Sequence, residues 1–219
     1  MLFEKKNLPF FSVLLLPAVV ALALLVIRIV ATDSTRYLFL IWNLLLAFVP
    51  LVLLLVLKNR LKNTAWWSVP NILITFAFIA FLPNAFYIMT DYKHLRGASE
   101  ININYDILMI NVFAWTGLLW GYCATLEFHK ELRKRLSSSR ALISMGLVFS
   151  AISFAIYLGR FVRWNSWDIL VQPAAIIFDV SDQVINPSMH VNAYFYTFIF
   201  FISLFSIHYT LWRLISKSR

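Results

Sequence analysis

The chain has 219 residues, 61% of them hydrophobic and 13% charged, with a formal net charge of +9. Average globular chains are roughly 45–50% apolar and about 25% charged, so a water-soluble domain of this size could not hide so much apolar surface, and lipid is the expected solvent. The basic residues cluster in short segments between long apolar runs, where they report membrane topology and argue against a nucleic-acid surface.

A spanning helix needs about 20 mostly apolar residues. Six runs qualify, in chain order Phe10–Val30, Tyr37–Leu57, Trp66–Met89, Ile107–Phe128, Ala141–Phe161 and Ala193–Ile215. None alternates with the period of two that a transmembrane strand requires, so the spans are expected to be helices. The first run follows basic residues as a signal peptide would, but it is long and offers no small-x-small cleavage site before Asp33, so it reads as a retained span. The lone cysteine, Cys123, lies inside the fourth run and permits no intramolecular disulfide.

Orientation follows from Lys and Arg. With the N-terminus inside, the inner segments hold 13 basic residues and the outer segments 6, while the acids are biased the other way. The expectation is an all-α integral membrane protein, a single domain over 1–219, with six spans and both termini cytoplasmic. One segment, about 168–186, is not a span. Ile169, Leu170, Ile176, Ile177, Val180 and Val184 recur at helical spacing, with Asp168, Gln172, Asp179, Asp182 and Gln183 on the other side. Pro173 suits a first helical position and Pro187 a stop. This segment reads as an amphipathic helix on the outer membrane face, or else as an outward loop packed on the bundle. No internal repeat supports an inverted-repeat transporter.

The unusual polar residues gather at the outer ends of the spans. If the third span stays helical to its end, Asn84, Tyr87, Asp91 and His94 fall within roughly 80° of one another. Pro83 frees the carbonyl four residues back. At the end of the fifth span Arg160 and Arg163 are near neighbours on a helical face, and Trp164, Asn165, Ser166 and Asp168 follow. Two guanidiniums could hold a phosphate or carboxylate by paired hydrogen bonds, or could neutralise Asp91 or Asp168. Arg28, Asn43 and Asn111 sit at similar depth. Ionisable groups in spans are costly and default to a functional-site hypothesis; helix packing is the competing reading. No cofactor is expected. A metal at Asp91 and His94, completed by His190, is a weaker possibility because no dense His/Cys signature is present. His129 and His208 read as interfacial side chains, and the inner halves of the spans read as almost wholly apolar.

Leu82-Pro83-Asn84-Ala85 followed by Tyr87, Thr90-Asp91 and His94-Leu95 forms one motif, and Gly159-Arg160-Phe161 with Arg163-Trp164-Asn165-Ser166-Trp167-Asp168 a second. Together they resemble the bacterial multi-pass membrane family catalogued as domain of unknown function 1361, over a stretch from about Leu38 to the C-terminus. The resemblance implies a bacterial inner-membrane protein and carries no reaction, ligand or catalytic residue.

Three functions compete. In the first, the outer layer binds or modifies an anionic lipid or lipid-linked envelope precursor. Arg160 and Arg163 then hold the headgroup, Asp91 or His94 moves a proton, and Asn84, Tyr87, Asn165 and Asp168 complete the site. In the second, the layer is a structural clasp and protein partners, unspecified by the sequence, dock outside. The third, a transporter or channel, ranks last because a transport path usually carries polar groups to the midplane.

Overall fold

A computed structural model describes residues 8–95, 100–164 and 168–217. Every regular element among them is helical: α1 Leu8–Thr32, α2 Phe39–Arg60, α3 Val69–Tyr87, a 3-10 segment Ile88–Leu95, α4 Glu100–Arg133, α5 Ser138–Tyr157, a π-turn Leu158–Val162, α6 Asp168–Val171, α7 Pro173–Ile185 and α8 Val191–Lys217. Six of these, α1 to α5 and α8, are long and apolar enough to cross a membrane. The protein is a multi-pass membrane protein, with spans where the apolar runs place them. The helices overrun those runs where polar residues continue the hydrogen-bonding. Thus α4 begins seven residues before Ile107 and carries Asp106 and Glu127 inside it.

The chain forms two compact units, Met1–Glu127 and Phe128–Arg219. In the first, three helices share one rule of burial. On α1 the buried positions are Leu14, Ala18, Ala21, Leu25 and Arg28. On α2 they include Leu40, Leu44, Ala47, Leu51 and Leu54, and the next position in that series is Lys58. On α4, which is buried on more than one side, they include Asp106, Ile110, Phe113, Gly117, Trp120, Ala124 and Glu127. All three series step by four and three, the spacing that keeps one seam facing a neighbouring helix. Each series ends in charge, a cation on α1 and on α2 and an acid at both ends on α4.

Small residues let α3 come close to α4. A Cβ at Gly117 would lie 2.6 Å from the Ala85 backbone oxygen, and one at Gly121 would lie 2.8 Å from the Phe86 ring. This is the close approach that a Gly-x-x-x-Gly pair permits between membrane helices. An aromatic edge locks the same seam, with Phe86 against Tyr122 at 5.2 Å between ring centroids, and Phe48 of α2 meets Trp120 of α4 at 5.0 Å.

In the second unit α5 packs on α8. Ser137 caps α5 by accepting from the Arg140 amide at 3.4 Å. Past Tyr157 the helix widens into the π-turn, and Arg163 ends it in the left-handed region at φ 71°. The Leu158 carbonyl accepts from the Arg163 amide and, at 3.2 Å, from the Trp164 amide. That is a Schellman-like closure one residue wider than usual, because the turn holds an extra residue. Phe161 is thereby stacked between Tyr157 and Tyr196, at 5.1 and 4.5 Å. The segment expected as one helix over 168–186 is two, broken at Gln172, and Pro173 opens α7 as its first residue.

Candidate functional site

In the first unit, the end formed by the α1 and α3 C-termini and the α2 and α4 N-termini is polar. Arg28 donates from Nε to Asp106 Oδ1 at 2.5 Å and from Nη2 to Oδ2 at 3.2 Å, a two-pronged pair. Tyr37 donates its hydroxyl to the same carboxylate at 2.9 Å, and Arg28 also reaches the Thr32 hydroxyl. Asp106 is fully buried. Beside this triad, Asn43 donates to Asp91 Oδ2 at 2.8 Å, and Tyr92 donates its hydroxyl to Asn111. Tyr37 lies just ahead of α2, and burial together with Asp106 raises its phenol above the ordinary 10.0. Tyr105 adds a bond to the Leu24 carbonyl at 2.8 Å.

The opposite end of this unit is also polar, and Asn71 and Glu127 bring buried polar groups to span ends read from the sequence as almost wholly apolar. Lys58 pairs with Glu127 at 2.5 Å, and Glu127 is 1% exposed. Arg60 donates to Asn71, which donates in turn to Thr64 and to the Ala65 carbonyl. Asn71 is fully buried. Hydropathy scanning treats such residues as loop, so it misses charges whose partner lies on another helix.

The stripe expected along the third span does not form as drawn. After Tyr87 the helix tightens to three residues per turn, so Asp91 no longer follows Asn84 and Tyr87 at 100° steps. Asn84 donates back to the Phe81 carbonyl at 3.0 Å, and the Tyr87 carbonyl accepts from the Thr90 hydroxyl. Both side chains are half-buried, and Asp91 is 1% exposed. The His94 side chain lies outside the described residues.

In the second unit, the π-turn and the left-handed Arg163 put Arg160 and Arg163 off the shared α-helical face expected of them. Arg163 is exposed and Arg160 half-buried. Asn165 lies outside the described residues. Asp168 opens α6, where a carboxylate complements the helix N-terminus. Trp164 donates to Asp179 Oδ2 at 2.7 Å and ties the turn to α7.

The α7 helix is amphipathic, and it turns part of its polar side, rather than most of its apolar side, toward its own unit. Gln183 is buried, Asp179 holds Trp164, and Val180 packs against Tyr157, Leu158 and Ala193. Ile177, Phe178, Val184 and Ile185 are 64–73% exposed. At its end Asp182 accepts from Asn186 at 2.7 Å and faces His190 Nε2 at 2.8 Å. Among the described residues no group of three or more His, Cys, Asp or Glu could hold a metal ion. His129 and His208 are buried within the protein. Their rings meet at 3.2 Å from Nδ1 to Nε2, and His129 stacks on Trp212 at 3.7 Å.

The family model described as "Protein of unknown function (DUF1361)" matches residues 42–207. No curated protein and no solved structure matches the chain.

Proposed function

This chain belongs to that family, whose description names no reaction, and we propose that it binds an anionic amphiphile, a phospholipid or lipid-linked envelope precursor, at one face of a bacterial cytoplasmic membrane. One observation carries the reading. The α7 helix buries Gln183, ties Asp179 to Trp164 and exposes Ile177, Phe178, Val184 and Ile185, an arrangement suited to an acyl boundary and costly against water. The same helix is tied through Asp179 to Trp164, next to the exposed Arg163. An anionic headgroup held by Arg163, with Arg160 three residues before it, would then have its chains beside α7. Asp91 is buried against Asn43 and serves here as a helix tie rather than an acid.

The basic residues support an N-terminus inside, which places this end of the spans outside. In a Cys123→Ser background, Ser34→Cys should react with an impermeant thiol reagent added from outside and Thr64→Cys should not. The reverse pattern inverts the orientation.

Binding is tested in nanodiscs holding equal phosphatidylglycerol and phosphatidylcholine, with native mass spectra of the ejected protein. Preferential retention of the anionic lipid by the native chain, lost in Arg163→Ala, supports the reading. Equal retention of both lipids by the native chain sinks it.

A structural or assembly role is the second reading, and the Arg28–Asp106–Tyr37 triad favours it for the first unit. Transport stays last. Between Asp106 and Glu127 the α4 seam is apolar, and the buried Thr116 and Thr125 hydroxyls bond carbonyls of their own helix.

A further inference from the structure

Within the second unit, α5, α7 and α8 enclose a groove of about 430 Å³. That volume lies inside the roughly 300–1,000 Å³ range of small-molecule sites. Its walls are apolar, with Phe154, Phe198 and Phe201 prominent, and besides Tyr194 three polar side chains line it. Ser150 is satisfied by its own helix, donating to the Gly146 carbonyl at 3.0 Å. The other two are not. Gln183 is 5% exposed, and its carboxamide oxygen has no hydrogen-bond partner among the described residues. The Thr197 hydroxyl is likewise buried without one. This departs from Thr75 and Thr116, whose hydroxyls each bond the carbonyl four residues back. Buried polar atoms are nearly always paired, because leaving one unpaired costs its desolvation. The Tyr194 hydroxyl meanwhile donates to the Gln183 backbone carbonyl at 2.9 Å, which fixes the backbone that carries this side chain.

We infer that this groove takes the apolar chain of an amphiphile that carries a hydroxyl or amide N–H near its head, the donor lying on Gln183 Oε1 and the Thr197 hydroxyl. The acceptor decides the chemistry. A plain hydrocarbon would leave both polar atoms unpaired, and an ether or ester oxygen could accept from the Thr197 hydroxyl but would leave Gln183 Oε1 facing another acceptor. A donor on a long chain satisfies the amide oxygen and still fills the aromatic walls. This inference rests on the reading of the second unit as an amphiphile site, and names the class of chain it selects.

The test uses the full chain in phosphatidylcholine nanodiscs, offered hexadecan-1-ol or its methyl ether, in which one methyl group replaces the hydroxyl proton. Native mass spectra should show the alcohol retained about tenfold more than the ether, the worth of one buried hydrogen bond. Gln183→Leu with Thr197→Val should bring the ratio near one while the ether is still retained. Both changes remove a buried unpaired polar atom, so thermal stability should hold or rise. Arg163→Ala should leave the ratio untouched, so loss of anionic-lipid selectivity and loss of donor selectivity report on different claims. Equal retention of the two probes by the native chain, retention of neither, or a ratio that survives the double change overturns the inference.

Discussion

Asp106 and Glu127 occupy the two ends of one buried seam on α4, three seven-residue repeats apart, and each meets a cation from a different helix. At 1.5 Å per residue they are separated by about 31 Å, close to the ~30 Å hydrocarbon thickness of a bilayer. Arg28 closes the α1 seam at one end and Lys58 the α2 seam at the other. The first unit is thus an apolar helical frame pinned by an ion pair at each membrane edge, where charge is cheapest to keep.

Breaking one of these pins should be far worse than removing it whole. Asp106→Ala leaves the Arg28 guanidinium buried without its acid and should cost about 3–5 kcal/mol of stability. Arg28→Met combined with Asp106→Leu should recover most of that loss. Unfolding in detergent with increasing denaturant reads both, and equal losses in the single and double variants would contradict the pairing.

Two glycines should respond in opposite directions to alanine. A Cβ at Gly117 meets the Ala85 carbonyl oxygen, backbone that cannot swing aside. Gly117→Ala should therefore push α3 from α4 and lower the melting temperature. Gly146 in α5 has nothing within 4 Å of that position, and Gly146→Ala should gain about 0.5–1 kcal/mol of helix stability.

The sequence located these helices well and their polar junctions poorly. The six apolar runs and Pro173 at the start of α7 were readable because length and proline chemistry act locally. Asp106 was not singled out, since its partner Arg28 lies 78 residues away and only the four-three spacing of both seams hints at the match. The π-turn at Gly159 and Arg160 and the 3-10 tightening at Asp91 are set by tertiary packing and leave no periodic trace. Which face of α7 meets protein was not legible, because a helical wheel separates the polar side from the apolar one without saying which of them meets lipid.

Arg163 offers a separation of stability from function. A non-glycine residue at φ 71° carries a strain of about 1–2 kcal/mol. Arg163→Gly should relieve about 1 kcal/mol of it and raise the melting temperature, while losing anionic-lipid retention. A variant that is both more stable and fully retentive would show that the guanidinium has no part in binding.

The junction between α7 and α8 should loosen in acid. Hydrogen bonds from Asn186 first, and from His190 second, hold the Asp182 carboxyl below its ordinary 3.8. A depressed acid contributes fully above that ordinary value, and its contribution fades as the pH falls through the lowered one. Amide protection over residues 186–193, taken relative to the intrinsic exchange rate at each pH, should be steady from pH 7 to 5 and should fall below about 4. In Asp182→Asn the acid-dependent fall should vanish.

The account turns on where an anionic headgroup sits, and photolabelling reads that directly. The native chain would be reconstituted with a phosphatidylglycerol carrying a photoreactive group on its glycerol head, irradiated, digested and sequenced by mass spectrometry. Label concentrated on the peptide around Leu158–Trp164, and depleted there in Arg163→Ala, is the result the account predicts. Label spread evenly over the ends of all six spans, and indifferent to Arg163, would contradict it.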